Sequence, residues 1–164
     1  MKVLGIDPGS VTTGYGVVDE IRGNLVLIAQ GGIRAGKAKT FPARLQMIFE
    51  GLCQVIAEHA PVAAAIETPF AGRNVRSLIQ LSQARGVAVL AAQLSGLEIF
   101  EYAPSAVKNA VVGYGRAEKP QVAKMVKMLI PGMRDITLGA DAADALAVAI
   151  CHVHIAKFTR RIRS

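Results

Sequence analysis

The chain has 164 residues, 52% of them hydrophobic and 5% aromatic, with no Trp, which suits one α/β domain with a substantial core and excludes a disordered protein. A total of 19 Lys and Arg against 12 Asp and Glu gives a net charge of +7 and a pI near 9.8, a balance that favours a polyanionic partner. Cys53 and Cys151 lie in apolar, helical-looking stretches that suit free thiols, and neither a signal-peptide core nor the ~18 apolar residues of a spanning helix is expected, so the reading is a soluble, cytoplasmic protein with no membrane partner.

Val3-Leu4-Gly5-Ile6-Asp7 is a short apolar run that ends in one carboxylate, the pattern of a buried strand delivering a single acid to a sheet rim. Pro8 keeps the residue before it extended and Gly9 lets the chain turn, although Asp-Pro-Gly also suits a purely local turn. Residues 14–19 and 24–33 read as two more strands joined by the turn Glu20-Ile21-Arg22-Gly23, completing an antiparallel meander. After a polar loop over 36–40, Leu45, Ile48, Phe49, Leu52, Val55 and Ile56 recur at helical spacing as far as His59 and Pro61, and this helix covers one sheet face. Residues 62–67 repeat the first pattern: a buried run, a single acid at Glu67, and a proline two residues on. Two such strands bring Asp7 and Glu67 toward one sheet edge. The following loop carries Phe70 between Pro69 and the basic pair Arg73 and Arg76; the ring suits stacking on a nucleobase, or anchoring the loop to the core.

Residues 77–94 form a helix that is apolar on more than one side and so needs two partners. The sheet supplies one and a second copy of the chain the other, giving a homodimer; a fully buried central helix is the other arrangement. Residues 97–102 are the last strand, and a helix from Pro104 to Val112, which carries Lys108, stops at Gly113. Lys119 follows the glycine-rich loop, and Pro120 opens a helix that Pro131-Gly132 ends. A last helix begins near Gly139, with Asp141 and Asp144 one turn apart on one face. Alanines 140, 142, 143 and 145 let its start lie close to the strand ends, although acids in a first turn are also favoured by capping and the helix dipole. His59, His152 and His154 read as solvated or core side chains. One domain over residues 1–156 and a basic C-terminal tail over 157–164, able to touch phosphate nonspecifically, complete the organisation.

With Asp7, Glu67, Asp141 and Asp144 all at element ends, the sequence resembles the RuvC family of Holliday-junction resolvases. The matching stretches are Gly5-Ile6-Asp7-Pro8-Gly9, Gly14-Tyr15-Gly16, Glu67 with Phe70, Gln83-Ala84-Arg85-Gly86, Val111-Val112-Gly113-Tyr114-Gly115 leading to Glu118-Lys119, and Asp141-Ala142-Ala143-Asp144-Ala145-Leu146. They span the chain, and none of the site positions departs from the family pattern. The resemblance implies a ribonuclease H-like fold, a five-stranded mixed sheet with helices on both faces, acting as a homodimer. It places Asp7, Glu67, Asp141 and Asp144 at catalytic and metal-binding positions, Phe70 at the loop aromatic, and Lys108 and Lys119 at DNA-contacting positions; Arg73 and Arg76 join them as basic loop residues. It further implies an endodeoxyribonuclease that nicks four-way junction DNA in strands of like polarity, leaving 5′-phosphate and 3′-hydroxyl ends, and a partnership with a RuvA-RuvB branch-migration complex.

The donor set points the same way. Clustered carboxylates without a Cys or His set suit Mg²⁺, with Mn²⁺ as substitute, rather than Zn²⁺. Two ions per site, with Asp7 between them, suit hydrolysis of a phosphodiester. With those four acids neutralised, eight remain against 19 basic side chains, a surface that binds DNA with steep salt dependence. Three other readings stand beside this one. Gly-Ile-Asp-Pro-Gly with Thr12-Thr13-Gly14 resembles the phosphate loop of actin-like ATPases, whose two-domain build exceeds this length; a catalytically silent junction-binding module and a related nuclease acting on RNA or hybrids are the others.

Overall fold

The computed structural model describes residues 1–68 and 75–163, with side chains followed through Thr159. Strands β1 (Lys2–Asp7), β2 (Thr12–Ile21) and β3 (Asn24–Arg34) form the expected antiparallel meander. The connection between β2 and β3 is tighter than expected: Ile21 pairs with Asn24, leaving a two-residue turn of Arg22 (φ 51°) and Gly23 (φ 85°). Positive φ at both positions gives the turn that matches strand twist, so the strands run on to it. Helix α1 (Phe41–His59) starts at Thr40, whose Oγ1 accepts a hydrogen bond from the Ala43 amide at 3.3 Å, and stops at Ala60 in the left-handed region.

Strand β4 (Ala63–Glu67) lies parallel to β1, helix α2 (Val75–Leu94) follows, and β5 (Glu98–Tyr102) lies parallel to β4. The sheet order is β3-β2-β1-β4-β5. Helices α3 (Pro104–Val112), α4 (Lys119–Leu129) and α5 (Ala140–Arg163) complete the chain. Strand alternation sorts the core into two halves. Leu4, Ile6, Val17 and Ile66 pack with α1 and α2 on one face; Val3, Val18 and Ala65 pack with α3, α4 and α5 on the other. The architecture is the five-stranded mixed sheet with helices on both faces that the sequence suggests.

Helix α2 is not the fully buried central helix of the alternative arrangement. Its buried residues are the small ones, Ala84, Ala88, Ala91 and Ala92, whereas Ile79, Leu90 and Leu94 are 54%, 50% and 68% exposed. Helix α5 corrects a second expectation. Its window Ala140–Thr159 is long and apolar enough to span a membrane by composition, yet 61% of it is buried in the fold; it owes its apolarity to packing across the sheet. The helix continues through residues 157–163, the stretch expected as a tail. Lys157 is engaged with the β2–β3 turn, donating to the Gly23 carbonyl at 2.9 Å and pairing with Glu20 at 3.3 Å. His152 is a core residue: 4% exposed, 2.8 Å from the Tyr102 hydroxyl through Nδ1 and stacked near Phe100.

Candidate active site

The parity of two strands aims the first two acids. Val3 and Gly5 of β1 face α5, so Asp7 faces the same side; Ala65 of β4 faces α5, so Glu67 does too. Ile6 pairs with Ile66 in parallel register, which sets Asp7 and Glu67 on adjacent strand ends. The turn beyond Asp7 is closed from within. Fully buried Thr13 donates through Oγ1 to the Gly9 carbonyl at 2.9 Å and accepts from the Gly9 amide at 3.3 Å. The threonines that suggested a nucleotide loop thus include one that fastens the turn behind Asp7.

The other two acids come from α5, and glycines decide how near they lie. A Cβ on Gly5 would stand 2.0 Å from the Ala145 carbonyl oxygen, and one on Gly14 would stand 2.1 Å from that of Asp141. On Gly16 it would meet the Leu146 side chain at 2.6 Å. Bare backbone on β1 and β2, facing Ala145 and Ala149, the Asp141 backbone and Leu146 in turn, lets helix and sheet touch. Gly14 is also the strand partner of Asp7, so the position that admits the Asp141 backbone lies beside the first acid. Asp7, Glu67, Asp141 and Asp144 consequently line one open cavity of about 750 Å³.

Charge in this cavity is crowded. Burial, then the carboxylates of Glu67 and Asp144, raise the Asp7 pKa to about 7 from 3.8; Asp141 adds to the rise and Lys119 opposes it. Lys119 enters from the first turn of α4, where the Glu118 amide donates to Gln121 Oε1 at 2.8 Å and fixes the helix start. Its ammonium donates to Asp144 Oδ2, and that hydrogen bond leads the causes that raise its own pKa. Lys108, half-buried on α3, lines the same cavity. Both lysines expected near DNA therefore sit at the acids, although one of them is already paired.

Arg76, on the first turn of α2, is exposed and does not line the cavity. Phe70 and Arg73 lie outside the described residues. Among the cavity residues not picked out from the sequence as site residues are the polar side chains that α2 contributes, Ser77, Gln80 and Arg85. With Leu81 they occupy the broad sector of the helix that is turned to the cavity, a signal that the other apolar residues of α2 obscure. Among the described residues no three acids, histidines or cysteines close into a ready ligand set. An all-carboxylate set crowded into one cavity nevertheless suits a hard dication, which neutralises the repulsion between the acids.

Comparison with known proteins fits this arrangement. Residues 3–152 match the family model described as crossover junction endodeoxyribonuclease RuvC. A protein of that description from Trichlorobacter lovleyi is 55% identical over 154 residues, covering 94% of this chain and 85% of the relative. One from Geobacter metallireducens is 49% identical over 164 residues, covering 100% and 99%. The structure of Thermus thermophilus RuvC in complex with a Holliday junction substrate superposes with a TM-score of 0.88 at 30% identity, covering 97% of this chain and 96% of that one. The chain belongs to the RuvC family of crossover junction endodeoxyribonucleases.

Proposed function

We propose that this protein is the structure-selective endonuclease of its family, cutting four-way DNA junctions by divalent-metal-dependent phosphodiester hydrolysis in recombination and repair. The observation that carries the reading is the convergence of Asp7, Glu67, Asp141 and Asp144, from two strands and a helix, into one cavity that also holds Lys108 and Lys119. The four acids would hold Mg²⁺, two ions per site, with Mn²⁺ as a substitute. When bound, these ions supply Lewis-acid stabilisation of phosphate charge and a water of lowered pKa. Asp7 would hold them as the carboxylate, so its proton would leave on binding. Lys119 exchanges Asp144 for the DNA backbone, and Lys108 holds the strand from the same side. Phe70 acts at the junction centre, and Arg73 and Arg76 bind DNA.

A homodimer is part of the proposal. Val75, Ile79, Leu90 and Leu94 present an exposed apolar face of α2, with Gly86 between them in open space. A two-fold contact through that face presents two equal sites to a junction of matching symmetry. Partnership with a RuvA-RuvB branch-migration complex rests on the family resemblance. A cytoplasmic setting rests on the free thiols Cys53 and Cys151. The nuclease is assigned to residues 1–156, and the basic end over 157–164 adds unspecific attraction to phosphate.

The test is cleavage of an end-labelled four-way junction, with matched duplex as control, by wild type and Asp7→Asn, each with Mg²⁺ and with EDTA. Symmetric nicks in the junction alone, dependent on Mg²⁺ and on Asp7, are expected. Equal cutting by Asp7→Asn would remove Asp7 from the site, and equal cutting of duplex would remove the junction selectivity.

A further inference from the structure

The cavity has two polar walls, and they belong to opposite faces of the sheet. Lys108 and Lys119 come from α3 and α4; Ser77, Gln80 and Arg85 come from α2. A DNA strand crossing the sheet rim over Asp7 and Glu67 would pass between them. The lysine wall is partly committed, since Lys119 donates to Asp144. On the other wall, Arg85 holds the cation.

Arg85 is fixed more firmly than a lysine would be. One terminal nitrogen donates to Glu101 on β5, an acid that does not line the cavity. Glu101 thus tethers the guanidinium without occupying its cavity side. The Nε of Arg85 is buried and has no hydrogen-bond partner. A guanidinium offers five donors in a rigid plane, and its fork matches the oxygens of a phosphate. A buried N–H without an acceptor is costly unless something supplies one when the protein works.

We infer that Arg85, held by Glu101, is a phosphate-binding residue of the junction strand, on the wall opposite the two lysines, with Ser77 and Gln80 adding neutral contacts from the same sector of α2. This rests on the resolvase reading for the identity of the polyanion. Arg85 contacts a backbone phosphate beside the scissile one, and its work is to hold the strand in place over the acids. Lysine and arginine walls together brace the backbone from both sides of the sheet.

The experiment measures junction affinity of the full chain in EDTA across a range of KCl concentrations, and KM and kcat with Mg²⁺, for wild type, Arg85→Gln, the pair Arg85→Gln/Glu101→Gln, and Arg44→Gln. The pair keeps the net charge and leaves neither partner buried against a lone charge, so it is the variant to trust if the single change unfolds. Arg44 also has a buried Nε without a partner but does not line the cavity. Loss of a phosphate contact makes the plot of log affinity against log salt shallower by about one per active site. It also raises KM roughly tenfold, with kcat within ~3-fold, as expected for lost uniform binding. Both effects are expected in the Arg85 variants and neither in Arg44→Gln. A folded pair variant with wild-type salt slope and KM would overturn the inference and leave Arg85 as a brace for Glu101 alone. Binding in EDTA reads the contact without cleavage, so failure of the resolvase reading registers separately, as wild type that does not cut.

Discussion

Gly14→Ala tests whether the site depends on how closely α5 approaches the sheet. The added Cβ would lie 2.1 Å from the Asp141 carbonyl oxygen and 2.6 Å from its carbon. A carbon and a carbonyl oxygen settle at about 3.3 Å or more, so one must retreat by about 1.2 Å. Gly14 sits inside the sheet between β1 and β3, whereas Asp141 is in the first turn of α5; the helix start is the part that yields. Overpacking of this kind costs about 1 to 3 kcal/mol, and at roughly 2 to 4 °C per kcal/mol for a chain of this size the melting temperature falls by about 2 to 12 °C. Activity falls further, because a displacement near 1 Å at a catalytic group costs ~100-fold. The assay pairs thermal melting with single-turnover junction cleavage, using Gly139→Ala as control, where an added Cβ meets nothing within 4 Å. Wild-type melting and wild-type cleavage by Gly14→Ala would refute the reasoning, since the helix could not then lie where it does.

The other predictions concern charge and assembly. Removing the Lys119 ammonium in Lys119→Met takes away the influence that, among the described residues, lowers the Asp7 pKa, so in EDTA the Asp7 carboxyl, followed by carbon NMR, titrates above about 7; a downward move would contradict the charge assignment. Asp7 has a folded pKa raised from 3.8 to about 7, so the folded state binds the proton more tightly than the unfolded state. Without metal its contribution to stability is lost as pH rises from about 4 to about 7. Asp7→Asn is therefore expected to melt higher than wild type in EDTA at pH 8, by a few kcal/mol at most, with the advantage gone near pH 4; a lower melting temperature at pH 8 would oppose this. Leu90 is 50% exposed, and Leu90→Glu is expected to sediment as a folded monomer that no longer makes paired nicks, whereas an intact dimer would move the interface off α2.

Much of this was legible because strand endings and glycines are local signals. Apolar runs ending at Asp7 and Glu67 identify both strands and both acids, and the period of two then fixes that the acids share a face. Gly5, Gly14 and Gly16 were visible as a motif, but their purpose was not: only the packing shows that each faces a particular residue of α5. The Arg22-Gly23 turn is shorter than expected because Arg22 adopts positive φ, a conformation that an arginine does not advertise. The cavity-facing sector of α2 was hidden for a different reason. Its apolar residues are split between a buried alanine seam and an exposed apolar face, so no single period stands out; Ser77 and Gln80 went unremarked, and Arg85 stood only inside the matching stretch Gln83-Ala84-Arg85-Gly86. The Lys119–Asp144 pair joins residues 25 positions apart, which no local pattern could reveal.

The arrangement of charge explains why such a site is built on small residues. Glycine facing alanine lets two elements approach without large side chains, and the close approach that follows concentrates four acids in partly desolvated space. Desolvation is the largest cause of the raised Asp7 pKa, ahead of any single neighbouring carboxylate, so the packing that positions the acids also makes them costly to ionise together. A proton on Asp7 and the ammonium of Lys119 on Asp144 are two ways of meeting that cost, and on the proposed function a bound dication would replace both. Affinity for such an ion would then depend on pH through Asp7 and on competition through Lys119. Because Lys119 stays 75% exposed while it holds Asp144, releasing it requires no rearrangement of the core, and a freed ammonium would remain at the mouth of the cavity, within reach of a phosphate backbone held there.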